Sequence, residues 1–257
     1  MRLPALFVSH GAPNMILYDS PTRQFFAGLG AKLGRPRAIV AVSAHWEART
    51  PTVNATEQPK TIHDFFGFEP PLYEMVYPAP GAPGLAREVS RRLEGAGMRP
   101  VTDAVRGLDH GVWVPLKLMY PAADIPVTQV SVQPNESTQH HFVIGQALRD
   151  LRDDDVLVLA SGNATHNLRA MMPDGSAPPA WVTAFAAWLR QMIARSDMGE
   201  LLDYRNSAPF AQQNHPTEEH FLQLFAALGA GTPGVAGRLL HSGTTFGVLE
   251  MDAYAFD

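Results

Sequence analysis

Short apolar runs alternate with stretches of helical spacing along this 257-residue chain. Apolar and small residues dominate five runs of strand length, at residues 3–9, 38–43, 127–132, 156–160 and 245–251. Apolar residues spaced three or four apart predict helices within residues 85–93, 142–151, 181–192 and 221–225. This alternation predicts an α/β fold, in which helices flank a central mixed, largely parallel sheet. We expect residues 1–257 to form a single domain.

Residues 51–83 depart from this pattern. The segment holds five prolines between Pro70 and Pro83 and is rich in aromatic residues, among them Phe66. A loop of this length within a compact domain is usually functional or disordered, and so many aromatic residues argue against disorder. The aromatic side chains either pin the loop to the body of the protein or form one wall of a ligand pocket.

Composition narrows the function classes. The net charge is −5 and no basic cluster occurs, so we expect no nucleic-acid partner. We expect no membrane association, because no apolar stretch reaches the ~18 residues of a spanning helix. The N-terminus lacks a signal-peptide pattern, which predicts a cytoplasmic protein. The chain has no cysteine, so a metal would bind histidine, carboxylate or backbone oxygen. The oligomeric state, a homo-oligomer included, stays open.

Two histidines end neighbouring apolar runs near the N-terminus. His10 follows the first run and precedes a Gly-Ala-Pro turn, and His45 follows the second. Ligands of open α/β sheets bind at the carboxyl ends of the strands, so these imidazoles could share one metal ion. Glu47 is either an outer partner of this site or a surface carboxylate.

Other histidines can reach the same edge of the sheet. His166 follows the run at 156–160 and suits either a metal ligand or a general base. His215 and His220 are five residues apart, which is poor spacing for one helix face, so we expect only one of them as a ligand. His220 would lie in the first turn of a helix that begins near Pro216.

The pair Asp109-His110 lies in an apolar, glycine-flanked segment. It predicts the entry to a helix, where either the pair faces a pocket or Asp109 simply caps the helix. His63 lies in the aromatic loop, where it could line the same pocket together with Phe66. We therefore take Asp109, His110, His63 and Phe66 as candidate substrate-binding residues.

Seven short motifs together resemble one family, the class III extradiol ring-cleaving dioxygenases, in the branch similar to DOPA 4,5-dioxygenase. They occur in family order over nearly the whole chain: Ser9-His10-Gly11-Ala12-Pro13, Ser43-Ala44-His45-Trp46, His63-Asp64-Phe65 with Gly67-Phe68, Tyr77-Pro78-Ala79-Pro80-Gly81, Leu108-Asp109-His110-Gly111, Gly162-Asn163-Ala164-Thr165-His166-Asn167 and His215-Pro216-Thr217-Glu218-Glu219-His220-Phe221.

The resemblance implies a catalytic domain that cleaves a catechol, such as DOPA or a related catecholic acid, with O2. It implies a mononuclear non-haem metal held by His10, His45 and His220. His166 would be the catalytic acid/base, and His110 would contact the substrate or its oxygenated intermediate. His166, His215 and Glu47 are candidates for outer partners or an extra ligand.

The sequence departs from the wider class at the third ligand. Those enzymes typically use two histidines and a glutamate on Fe(II), whereas here His220 follows Glu219. Three-histidine sites also suit Zn²⁺, which outcompetes Fe²⁺ for most sites. We expect Fe(II) for activity and zinc in the purified protein. Two alternatives remain, namely a zinc hydrolase using the same three histidines and a non-catalytic metal-binding protein.

Overall fold

A computed structural model of the chain, which describes residues 2–257, contains an eight-stranded sheet in the order β4-β3-β5-β2-β6-β1-β10-β7. The strands of this sheet are β1 Ala5–Ser9, β2 Ala38–Glu47, β3 Thr52–Asn54, β4 Val101–Asp103, β5 Val127–Val132, β6 Val156–Gly162, β7 Arg238–His241 and β10 Ala253–Phe256. A separate hairpin pairs β8 Thr244–Thr245 with β9 Leu249–Glu250.

Ten α-helices surround the sheet. They are α1 Pro21–Leu33, α2 Pro70–Glu74, α3 Pro83–Gly95, α4 His110–Met119, α5 Thr138–Leu148, α6 Ala180–Arg195, α7 Met198–Leu202, α8 Tyr204–Ser207, α9 Ala211–Asn214 and α10 Leu222–Ala230. Local chemistry sets several ends: the Ser20 hydroxyl accepts from Arg23 N at 3.1 Å to cap α1, and the Ser137 hydroxyl caps α5 in the same way.

The centre of the sheet is parallel, most of the outer pairings are antiparallel, and the edge strand β4 pairs with β3 in parallel. Strands β5, β2, β6 and β1 pair in parallel, whereas β3 with β5, β1 with β10, and β10 with β7 pair in the opposite sense. The predicted mixed, largely parallel sheet flanked by helices is therefore confirmed. Because the central strands run the same way, their carboxyl ends meet at one edge.

Both faces of the sheet are covered, which explains why the central runs are continuously apolar. Alternate β1 side chains point to opposite faces: Phe7 packs in the cluster that contains α3, α5, α6 and α10, and Leu6 packs in the cluster that contains α1 and α4. The helix face of α10 packs directly on α5 and β6. Packing on both faces of the sheet therefore fixes the position of the edge at which β1, β2 and β6 end.

Several local predictions need correction. Residues 245–251 form the β8–β9 hairpin instead of one strand, because Phe246 and Gly247 both take positive φ and reverse the chain. Strand β2 continues to Glu47, so His45 lies within the strand and not after it. Helix α10 begins at Leu222, so His220 precedes the helix. The loop at 51–83 contains β3 and α2.

Among the described residues, no helix has the length and apolar character needed to cross a bilayer.

Candidate active site

Hydrogen bonds at the sheet edge hold His10 against the loop after β6. His10 N donates to Gly162 O at 2.9 Å, and Gly11 N donates to Asn163 Oδ1 at 3.0 Å. Gly11 has φ +60°, which glycine adopts at little cost. The turn after β1 therefore directs the His10 imidazole over the ends of β2 and β6.

A close backbone contact between the end of β6 and the segment before α10 places His220 at this edge. Asn163 N donates to His220 O at 2.8 Å, and Gly162 lies so near this carbonyl that any Cβ at Gly162 would collide with it. The segment before α10 can thus lie directly on the end of β6. This contact joins residues that are more than fifty positions apart in the chain.

Five imidazoles converge at this edge: His10, His45, His110, His166 and His220. The Nε2 atoms of His10 and His45 are 3.0 Å apart. The ring centroid of His45 lies 3.9 Å from that of His110 and 4.9 Å from that of His220. His166 stacks on His220 at 3.5 Å, with only 11° between the planes.

Protein groups hold the Nδ1 atom of each of the three proposed ligands. Ser161 Oγ donates to Gly111 O, so it accepts from His10 Nδ1 at 3.0 Å. Glu219 Oε1 lies 2.9 Å from His220 Nδ1, and Asp64 Oδ2 lies 3.5 Å from His45 Nδ1. These hydrogen bonds place the proton of His10 and of His220 on Nδ1 and leave a lone pair on Nε2, and the nearby Asp64 carboxylate favours the same form of His45.

This arrangement fits a bound cation. The Nε2 atoms of His10 and His45 are 3.0 Å apart, close enough for a single cation to bind both. Metal-bound histidines typically donate their other ring nitrogen to a carboxylate or another acceptor, as these do. The residues present therefore fit the non-haem metal that the sequence motifs imply.

Burial keeps these imidazoles neutral. Burial, followed by the neighbouring imidazoles, lowers the pKa of His10 and of His220 well below the usual value. Burial lowers the pKa of His45 to about 4, against the opposing charges of Asp109 and Asp64. The unprotonated form at neutral pH is the form that binds a metal.

His166 is the fifth imidazole and belongs to a second group of metal-ligand type. Burial lowers its pKa to about 4, although the Glu219 carboxylate, 3.9 Å from His166 Nδ1, works in the opposite direction. The ligand atoms of His166, Glu219 and His220 lie within 4.8 Å of one another, as do those of His10, His45 and His110. Geometry alone therefore offers either His110 or His220 as a third partner for His10 and His45.

Asp64 is a site residue that the sequence analysis passed over in favour of its neighbour His63. Its carboxylate lies 3.5 Å from His45 Nδ1 and 3.0 Å from His110 Nδ1, and it also accepts from His110 N at 3.0 Å. Burial alone raises the pKa of Asp64, but His110 and His45 lower it to about 2. One carboxylate thus orients two imidazoles. The signal available in the sequence was an acid beside a histidine in the aromatic loop.

A cavity of about 310 Å³ opens onto the five histidines. His110 and Phe66 line it as predicted, and the ring of Phe66 is 92% exposed at its rim. The remaining wall is mainly apolar, and its side chains include Phe65, Phe68, Leu168, Met171 and Leu249. The aromatic loop therefore contributes a wall of the cavity as well as packing against the body.

Two candidate substrate contacts lie outside this cavity. His63 Nε2 is 2.9 Å from Met75 O and does not line the wall. Asp109 is fully buried behind the cavity wall, where its carboxylate accepts from Ser43 Oγ and Gln129 Nε2, both at 2.6 Å, and from Arg106 at 3.3 Å. Asp109 starts α4 without capping it through its side chain. Both expectations of substrate contact are corrected.

His215 and Glu47 are the two remaining candidates for an outer partner of the site or an extra ligand, and their surroundings differ. His215 Nε2 donates to Ala164 O at 2.9 Å beneath the loop that carries His166, so this nitrogen is unavailable to a metal. Glu47 is exposed; partial burial and the charge of Glu219 raise its pKa. Within residues 2–257, no hydrogen bond or ion pair joins Glu47 to a histidine.

At the carboxyl edge of this α/β sheet, histidines whose outer ring nitrogens contact protein groups surround an apolar cavity, an arrangement typical of a non-haem metal site. The family model described as the catalytic LigB subunit of aromatic ring-opening dioxygenase matches residues 4–251. The chain belongs to this family and is an extradiol dioxygenase.

Relatives with this chemistry match nearly the whole chain. The chain is 43% identical to a 4,5-DOPA dioxygenase extradiol from Beta vulgaris, over 97% of this chain and 95% of the relative. It is 42% identical to the protein of the same name from Escherichia coli, over 89% and 85%. A crystal structure of an uncharacterized Escherichia coli protein matches with a TM-score of 0.85 and 34% identity, covering all of both chains.

Proposed function

We propose that this chain opens the aromatic ring of a catechol such as DOPA or a related catecholic acid, with O2 as co-substrate, in one catalytic domain of residues 1–257. The observation that carries the proposal is the convergence of five histidines on an apolar cavity at the carboxyl edge of the sheet. The naming of the relatives from Beta vulgaris and Escherichia coli supports DOPA as the type of substrate.

His10, His45 and His220 are the proposed metal ligands. Their Nδ1 atoms are anchored on Ser161, Asp64 and Glu219, which leaves the three Nε2 atoms available. We assign the third position to His220 over His110 because the family motif carries a ligand there. Bound at this site, a redox-active metal supplies the path by which electrons pass from the catechol to oxygen.

Fe(II) is the proposed working metal, and zinc the metal of the purified protein. Three neutral imidazoles without a ligating carboxylate suit both ions, and zinc binds such sites more tightly than ferrous iron. Zinc does not change its oxidation state, so it cannot support ring cleavage. Zinc-loaded protein is expected to bind catechol without turnover.

His166 is the proposed general base. Its imidazole is unprotonated at neutral pH because burial lowers its pKa to about 4. Stacking at 3.5 Å on His220 holds the ring beside the metal position, where it can take a catechol hydroxyl proton and later return one. Glu219 near Nδ1 stabilises the imidazolium that forms.

His110 is the proposed substrate contact. The Asp64 carboxylate lies 3.0 Å from His110 Nδ1, and the His110 side chain lines the cavity, where it can contact a substrate hydroxyl. The aromatic loop contributes Phe65, Phe66 and Phe68, whose rings can lie against the catechol ring. The largely apolar wall also excludes water from the reacting centre.

The test is anaerobic loading of metal-free protein with Fe(II), followed by a catechol and air. A yellow ring-cleavage product supports the proposal. Ester or amide hydrolysis by the zinc form, without ring cleavage, would instead indicate a hydrolase. Metal bound without either activity would indicate a binding protein.

Three variants separate the roles, with metal content as a readout apart from activity. His220→Ala is expected to lose most bound metal. His110→Ala and His166→Ala are expected to retain metal and to lose turnover by 100-fold or more, taking ~10²–10⁴-fold as the usual contribution of a proton-transfer group. Retention of metal in His220→Ala together with its loss in His110→Ala would reverse the ligand assignment.

A further inference from the structure

A second cavity of about 300 Å³ lies beside the histidine cavity. Two residues, Ala12 and Phe246, line both. One methyl group and one aromatic ring therefore form the shared wall.

The position of Phe246 is held by its backbone. Phe246 has φ +50°, a left-handed conformation that is costly for a residue with a bulky side chain. Met172 N donates to Phe246 O at 2.9 Å, and Phe246 N donates to Asp174 Oδ1 at 3.3 Å. Unfavourable backbone geometry that surrounding contacts maintain is concentrated at functional sites. The fold thus keeps an aromatic ring between two cavities at an energetic cost.

The second cavity has an apolar base. Met15 and Met251 line it together with the shared wall of Ala12 and Phe246. Met251 packs against Gly11, and a Cβ at Gly11 would lie only 2.6 Å from the Met251 methyl carbon. The same turn that orients His10 therefore also forms part of the boundary of the second cavity.

The polar lining is hydrogen-bonding and negatively charged. Asn14, Tyr18 and Thr22 present an amide and two hydroxyls, and Asp174 presents a carboxylate. The carboxylate of Glu69 lies behind them, hydrogen-bonded to Tyr18 and 3.5 Å from the Asn14 amide nitrogen. No lysine or arginine lines the cavity, and Asp174 forms no ion pair within residues 2–257.

We infer that this cavity is the subsite for the ring substituent of the catechol, that Phe246 controls access to it, and that it favours a substituent ending in a protonated amine over one ending in a carboxylate. The inference rests on the proposed function. The shared wall borders the histidine cavity, so a ring substituent that extends past Ala12 and Phe246 enters the second cavity, where Asp174 is the charged residue among the described lining. Phe246 is then a specificity-determining residue.

The first experiment measures binding to the zinc-loaded full chain by calorimetry, without turnover. The probes are catechol, dopamine and 3-(3,4-dihydroxyphenyl)propanoate, which have no side chain, a cationic one and an anionic one. Dopamine is expected to bind at least threefold more tightly than the propanoate. Asp174→Asn removes the charge but keeps an oxygen that can accept from Phe246 N, and it is expected to abolish this preference.

The second experiment changes the wall. Phe246→Ala is expected to raise the kcat/KM of the Fe(II) enzyme for catechols with a bulky N-substituted aminoethyl chain at least tenfold relative to catechol. Phe210→Ala is the control, since Phe210 also has positive φ but lines neither cavity. It is expected to leave the ratio unchanged.

A preference for dopamine that Asp174→Asn leaves unaltered overturns the inferred charge preference. An equal change for all catechols in Phe246→Ala overturns the role of Phe246. Failure of the wild-type Fe(II) enzyme to cleave any catechol overturns the proposed function instead. The inferred subsite is still tested in that case, because the order in which the probes bind the zinc form is measured without turnover.

Discussion

The metal-free protein is expected to lose much of its stability between pH 7 and pH 5.5. Burial lowers the pKa of several histidines far below the ~6.5 of an exposed imidazole. Four histidines have pKa values of about 4 or less, namely His45, His141, His166 and His215, and burial also lowers the pKa of His10 and of His220 well below the usual value. The unfolded chain takes up protons at these side chains as the pH falls below 6.5, and the folded chain does not. Stability is therefore present at neutral pH and is lost on acidification, down to the folded-state pKa values.

The magnitude follows from proton linkage. Between pH 7 and pH 5.5, each histidine with a pKa of about 4 or less costs about 1 kcal/mol of unfolding free energy, so these four together cost about 4 kcal/mol. His10 and His220 add to the loss in the same direction. This loss is comparable with the ~5–15 kcal/mol total stability of a typical domain. The metal-free protein should therefore be close to unfolding at pH 5.5.

The assay is guanidinium denaturation of chelator-treated protein at pH 7.0, 6.5, 6.0 and 5.5. His141→Gln is a useful comparison, because this histidine lies outside the site, buried on α5 where Gln133 N donates to its Nε2 atom at 3.1 Å. The variant is expected to lose about 1 kcal/mol less than wild type over the same range. An unfolding free energy that stays within 1 kcal/mol from pH 7 to pH 5.5 would refute the conclusion that the imidazoles are buried in the neutral form.

Two further predictions concern the groups around His45. Asp64→Asn removes the charge that orients two imidazoles and is expected to weaken zinc binding about 10–100-fold in a competition assay, whereas exposed Glu57→Gln should leave it unchanged. Gly111→Ala places a methyl group 2.6 Å from the Ser43 hydroxyl and 3.0 Å from the His45 ring, and should destabilise the protein by ~1–3 kcal/mol in denaturation measurements. Gly28→Ala is the control, because a methyl group at this position of α1 has no neighbour within 4 Å, and it should stabilise the protein by ~0.5–1 kcal/mol. Equal changes in stability for the two alanine variants would contradict the steric argument.

Structural features that are set by residues close together in the sequence could be predicted from the sequence. The central strands β1, β2, β5 and β6 are buried on both faces, so their apolar runs were plain in the sequence. The entry of His110 into a helix and the turn at Gly11 follow from local chemistry in the same way. The hairpin at β8–β9 was missed because a left-handed Phe246 runs against its own propensity and is held by the 172–174 segment.

The sequence by itself determined which chemistry is available: several histidines at the ends of parallel strands, and no thiol to compete with them. Only the tertiary structure decided how each is used. The proton of His10 is placed by Ser161, 151 positions away, and Asp64 reaches His110 across 46 positions. His63 and Asp109 were the locally plausible contacts, yet packing turned both away from the cavity. Side-chain direction and protonation depend on partners that the chain brings together only when it folds, so no local pattern carries them.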